Sequence, residues 1–196
     1  MKKFYVNGKI IGKKNERYKN RKSAGISFAN IQKGAASMAK DNKTNAMRKL
    51  DSMKINYKEH YYTETGAVNG LETAKALGED PEQVFKTLVT TGRSGEHYVF
   101  LVPVSSELDL KKAASAVGEK SIEMLRAKDL LPLTGYIHGG CSHIGMKKFF
   151  RTTINETAQL FDTIFFSGGR IGFQIEMTLD DLEKVIPFTL CDITTD

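Results

Sequence analysis

Apolar positions between residues 44 and 196 switch repeatedly between a spacing of two and a spacing near 3.6, which predicts short strands interleaved with short helices. Ala46, Met47, Leu50 and Met53 fall on one helical face, with Thr44 or Asn45 placed to cap it. Residues 55–63 are rich in Tyr and predict a strand, and residues 71–77 a helix stopped by Gly78. Asp80-Pro81-Glu82 carries the signals of a helix start, here a brief one, because residues 84–89 already have β character. Gly92-Arg93-Ser94-Gly95 then separates that run from a second strand at 98–102, a hairpin signal. Helical patterns follow at 108–117 and 121–125. Near the C-terminus come a strand at 163–166, a Ser167-Gly168-Gly169 turn, a strand at 171–177 and a helix at 179–186. This order predicts an α/β fold with a mixed, curled sheet and short flanking helices, not a doubly wound Rossmann fold.

Charge divides the chain. Residues 1–37 hold ten Lys and Arg against the single acid Glu16, a net +9 where the whole chain carries +6, so the remainder is slightly acidic at −3. Residues 1–37 read as a basic, flexible extension and residues 38–196 as the domain, with Met38 at its start. The extension is either merely solvated or an arm for RNA phosphates. No run approaches the ~18 apolar residues of a membrane helix, and the Lys-rich N-terminus lacks the apolar segment of a secretory signal. A cytoplasmic protein is expected. Its two cysteines, Cys141 and Cys191, are then reduced thiols.

Three segments stand out as chemistry. Lys86 interrupts the apolar run of Val84, Phe85, Leu88 and Val89, either on the solvent face of an edge strand or with its stem packed and its ammonium in a cleft. The runs 135–145 and 167–172 are rich in glycine and offer main-chain N–H groups that can approach an anion closely, or serve only as tight turns. Neither fits the P-loop or dinucleotide fingerprint, which disfavours nucleotide hydrolysis. His138, Cys141 and His143 match no common zinc spacing, so no metal and no cofactor are expected.

Taken in order, Lys43-Thr44-Asn45-Ala46-Met47-Arg48, the segment from Asp80 through Phe85-Lys86-Thr87-Leu88, the Gly135 to Phe149 run and Ser167-Gly168-Gly169-Arg170-Ile171-Gly172 resemble the YbaK/EbsC family of free-standing aminoacyl-tRNA deacylases, relatives of the prolyl-tRNA synthetase editing domain. The resemblance covers about three quarters of the chain, from residue 43 onward, and implies a mixed α/β fold around a curled, barrel-like sheet. It implies that Lys86, Gly139 and Gly140 are catalytic and that Tyr62, Ser142, Ser167, Gly168, Gly169 and Gln174 bind substrate, with Tyr61 a neighbouring alternative to Tyr62. Two positions depart from the family pattern. His143 stands where proline is usual, and Gln174 stands where some members have an aspartate, which removes a candidate base or amine anchor.

The resemblance further implies removal of cysteine from Cys-tRNA(Pro), and also from Cys-tRNA(Cys), by attack of the substrate's own thiol on its ester. A tethered thiol gains a large effective concentration, so the protein has only to orient the ester and stabilise charge. The partners implied are the acceptor end of tRNA and prolyl-tRNA synthetase, with the protein itself a monomer. Two alternatives stay open: water attack on another mischarged tRNA such as Ala-tRNA(Pro), and a non-catalytic module that binds tRNA or a synthetase.

Overall fold

The computed structural model describes residues 5–6, 9–10, 43–67 and 69–195. It falls into two units, Met1–Asn42 and Lys43–Asp196. In the first, β1 (Tyr5–Val6) pairs antiparallel with β2 (Lys9–Ile10). The rest of the proposed basic extension lies outside the described residues.

The second unit opens on a helix that the sequence predicts. Thr44 Oγ1 accepts from the Met47 N–H at 3.2 Å and caps α1 (Asn45–Ser52), whose Ala46, Met47 and Leu50 are buried. The same hydroxyl donates to the Gly168 carbonyl, tying this helix start to the later glycine turn. β3 (Lys58–Tyr61) is shorter than the predicted strand. α2 (Gly70–Leu77) is capped by Asn69 and closed by Gly78 in the left-handed conformation, at φ 72°. Asp80-Pro81-Glu82 yields a turn and no helix. Gln83 N–H donates to the Asp80 carbonyl at 2.9 Å and Glu82 N–H to Asp80 Oδ1 at 3.0 Å, after which the chain is committed to strand pairing at Val84.

β4 (Val84–Gly92) and β5 (His97–Pro103) form the predicted hairpin and the centre of a mixed sheet. α3 (Leu110–Val117) follows, as predicted. Residues 121–125 are not helical: β6 (Ile122–Met124) adds antiparallel to the far end of β4. The helix lies just beyond, as α4 (Ala127–Thr134), its signal masked by the internal Pro132. Lys147 Nζ donates to the Leu131 and Pro132 carbonyls at 3.3 and 3.1 Å, satisfying groups that the helix end exposes.

β7 (Arg151–Asn155), a 3₁₀ turn (Glu156–Leu160), β8 (Ile164–Ser167), β9 (Phe173–Met177), α5 (Leu179–Glu183) and β10 (Phe188–Cys191) complete the unit. The order is β10-β7-β5-β4-β8-β9-β3, and the sheet stays open. β5 is apolar on both faces, as a central strand must be. Val99 and Leu101 join the core beneath α1, and Phe100 and Val102 join the core beneath α3. β7 escapes the sequence reading because it buries Thr152, Thr153 and Asn155 in place of an apolar face. Thr153 bonds the Thr189 hydroxyl at 3.2 Å, and Asn155 Oδ1 accepts from the Ile193 N–H at 3.1 Å. Among the described residues no helix is long and apolar enough to cross a membrane.

Candidate active site

The site originates in a gap in the sheet. Along one edge of β4, β8 pairs with Val84 and Phe85, while β6 pairs with residues from Thr90 to Gly92. Neither strand reaches the middle. Val104 N–H donates to the Val84 carbonyl and Gly92 N–H to the Glu96 carbonyl, so residues 84, 86, 88, 90 and 92 bond toward β5. The alternation directs the main-chain N–H and C=O of Thr87 into the gap. Its side-chain Oγ1 is also buried without a partner. The gap widens into a cleft of about 420 Å³ lined by every residue from Val84 to Val89.

Further elements close the walls. α2 supplies Gly70 and Thr73, and Met124, Leu125, Ala127 and Leu130 come from the β6–α4 region. The first glycine run brings His138, Gly139 and Cys141, and the second brings Ser167, with Phe173 and Gln174 from β9. Of the residues singled out in the sequence, Tyr62, Lys86, Gly139, Ser167 and Gln174 therefore meet at one cleft. Tyr61 does not belong to its wall, and its hydroxyl donates to Glu59.

Gly140, Ser142, Gly168 and Gly169 lie outside the lining, and their contacts are internal. The Gly140 N–H, expected to face an oxyanion, donates to the Ile137 carbonyl at 3.1 Å. A Cβ at Gly140 would sit 3.0 Å from Ile171 N and 3.1 Å from Arg170 Cα, so this glycine allows the two turns to touch. Ser142 is fully buried and its Oγ accepts from the Ile144 N–H at 3.3 Å. Gly168 N–H donates to the Phe173 carbonyl at 2.8 Å, and Gly169 N–H to Ser167 Oγ at 3.2 Å. Gly139, by contrast, is exposed in the cleft wall.

The electrostatics separate the polar groups. Lys86, its side chain 26% exposed, donates from Nζ to Glu107 Oε1 at 2.8 Å at the rim. Cys141 is buried, and desolvation pushes its thiol up to about 12, so it is a neutral packing group and no nucleophile at neutral pH. Gln174 is 2% exposed and donates from Nε2 to Glu79 Oε2 at 3.0 Å. Burial raises the Glu79 carboxyl to about 7, against the opposing pull of that hydrogen bond. His143 packs edge-on against Phe166 at 4.5 Å between centroids, with both ring nitrogens buried and unpartnered, and desolvation drives it down to about 3. His138 and Cys141 line this cleft while His143 lines a second one, so the three do not gather. Among the described residues no three His, Cys, Asp or Glu side chains converge on a metal position.

The cleft thus brings a half-buried lysine together with Gly139, Ser167 and Gln174. The model of the aminoacyl-tRNA editing domain matches residues 67–185, which hold this cleft's strand, both glycine runs and Gln174. The chain belongs to the aminoacyl-tRNA editing domain family. A member from Enterococcus faecalis, EbsC, named as a candidate Cys-tRNA(Pro)/Cys-tRNA(Cys) deacylase, is 43% identical over 154 residues, covering 78% of this chain and 94% of its own. The editing-domain fold is also found in a solved structure described as a candidate trans-editing enzyme for prolyl tRNA synthetase. That structure has a TM-score of 0.68 and 23% identity, over 80% of this chain and all of the other. A hypothetical protein of known structure gives a TM-score of 0.71 at 17% identity, over 78% of this chain and all of its own.

Thr87, Thr73 and Glu79 were not singled out as functional in the sequence. Thr87 adjoins Lys86 and carried a visible signal, a polar residue within an apolar strand. Thr73 reaches the cleft, and Glu79 its wall residue Gln174, only because α2 packs beside β4, and no local pattern announces that.

Proposed function

We propose that this protein deacylates mischarged tRNA in trans, with the cysteinyl ester of proline tRNA as its substrate and cysteinyl-tRNA(Cys) as a second one. The observation that carries the reading is the convergence of Lys86, Gly139, Ser167 and Gln174 on a cleft whose only thiol is held neutral. Synthetases reject near-isosteric amino acids by only about 1–3 kcal/mol, which makes a second, destructive site useful.

In this reading the terminal adenosine enters the cleft with its acyl group against the β4 edge. The substrate thiol, as thiolate, attacks the ester carbonyl. The C–O bond to the ribose breaks, the ribose oxygen takes up a proton, and a thiolactone leaves. Lys86 exchanges Glu107 for an oxygen of the ribose or its phosphate and steadies the departing alkoxide. The Gly139 N–H faces the carbonyl oxygen as charge develops there. Tyr62 and Ser167 orient the sugar. Recognition of the tRNA body falls partly to a partner, prolyl-tRNA synthetase, because the region after residue 37 is net acidic and grips phosphates weakly. On this reading the protein acts as a monomer in the cytoplasm.

A second reading has water attack an alanyl ester, and the exposed His138 in the cleft wall favours it. A panel of tRNAs charged with cysteine, serine and alanine tests both. Cysteine release with thiolactone as product, and serine slower by orders of magnitude, is the expected result. Equal rates for cysteine and serine esters would favour water.

A further inference from the structure

Gln174 presents one end of its amide to Glu79, the first residue after the Gly78 cap of α2. Nε2 donates to Glu79 Oε2 at 3.0 Å, so the amide is held with Oε1 at its other end. That oxygen is buried, belongs to a residue in the cleft wall, and has no partner. Glu79 Oε1 is equally buried and unpartnered. Two acceptors without a donor are costly in a folded protein, and a carboxylate that accepts from an amide makes the amide's own oxygen a stronger acceptor. Glu176, the acid whose charge also bears on Glu79, is itself taken up by Lys58, His60 and Thr163.

We propose that Glu79 and Gln174 together form the subsite for the α-ammonium group of the aminoacyl ester, Gln174 Oε1 touching the ammonium and Glu79 acting behind it as the positioning residue and source of charge. The inference rests on the deacylase reading and deepens it. It replaces a carboxylate on the β9 strand with one delivered from the end of α2 through an intervening amide. An ammonium gives Gln174 Oε1 its missing donor and Glu79 a compensating charge at once, which a neutral acyl group cannot do.

The test compares Cys-tRNA with N-acetyl-Cys-tRNA, whose thiol and ester are intact but whose nitrogen is neutral. The wild-type protein is expected to prefer the free amine by about tenfold or more in kcat/KM. Glu79→Gln should lose most of that preference through the free-amine substrate, with the acetylated one little changed. The double variant Glu79→Gln/Gln174→Asp, which moves the charge onto β9, should regain it. Rescue by relocated charge is not expected of a residue that merely supports the fold. Equal wild-type rates on the two esters overturn the subsite even if neither variant folds. An unaltered preference in a folded Glu79→Gln protein overturns the role of Glu79. Both results leave the deacylase reading standing, whereas absence of cleavage of any charged tRNA by the wild type removes that reading and the subsite with it.

Discussion

Lys86 Nζ lies 2.8 Å from Glu107 Oε1, and the two ends of this ion pair live in different surroundings: the lysine side chain is 26% exposed and the glutamate 79%. A pair with one partner in water is worth about 0–1 kcal/mol. Glu107 therefore keeps the ammonium oriented without holding it against a competing substrate oxygen.

Lys86→Ala should reduce kcat/KM for Cys-tRNA by about 10²-fold or more, the range for loss of one stabilising donor at a developing oxyanion. Circular dichroism and thermal melting should stay near wild type, since the residue is at the rim. Near-normal turnover would remove Lys86 from the mechanism.

Removing the competitor should have the opposite sign. Glu107→Gln is expected to leave kcat unchanged and to lower KM by about twofold or so, as an exposed pair of this strength allows. A large fall in kcat would show that Glu107 itself takes part.

Cys141→Ala separates the protein's thiol from the substrate's. With the Cys141 thiol pushed up to about 12, its removal should leave kcat within about threefold and cost stability only through the lost packing. A collapse of activity in a folded variant would make Cys141 the nucleophile.

Gly140→Ala places a methyl group 3.0–3.2 Å from the main chain of Arg170 and Ile171, where neither neighbour is a side chain that can swing away. Overpacking of this kind costs about 1–3 kcal/mol. A lowered melting temperature together with reduced activity is expected, because the turns that carry Gly139 and Ser167 are pushed apart.

Glu79 gives a pH signature in stability. Its carboxyl is raised by burial from 4.5 to about 7. Below pH 4.5 it is protonated in folded and unfolded chains alike. As pH rises toward 7 the unfolded chain releases its proton first, so native stability falls, and above 7 the loss is complete. Glu79→Gln should abolish that loss, adding on the order of 2 kcal/mol at pH 8, allowing for partial exposure, and little at pH 4. His143 acts in the other direction. Burial lowers it from 6.5 to about 3, so its contribution is whole above 6.5 and is lost as pH falls toward 3. Urea unfolding of wild type and Glu79→Gln at both pH values measures the difference.

Much of the architecture was legible because local signals agreed with the fold. The Thr44 cap, the Gly78 stop and the β4–β5 hairpin each carry their own chemistry. What escaped did so for tertiary reasons. β7 satisfies its buried Thr153 and Asn155 through partners on β10 and in the segment after it, and α4 contains a proline that a sequence pattern penalises. The candidate site divides similarly. Lys86, Gly139 and Ser167 sit in segments with recognisable composition, Gln174 is marked by the family resemblance alone, and the four meet at the cleft. Gly140 and Gly169 share that composition but serve the contact between turns, a distinction that depends on which N–H is already taken. Glu79 had no signal, because its meaning comes from a residue 95 positions away.

The aperture between β8 and β6 is flanked on both sides by strands hydrogen-bonded to β4. Its width is set by sheet pairing, so it changes only if a strand leaves the ladder.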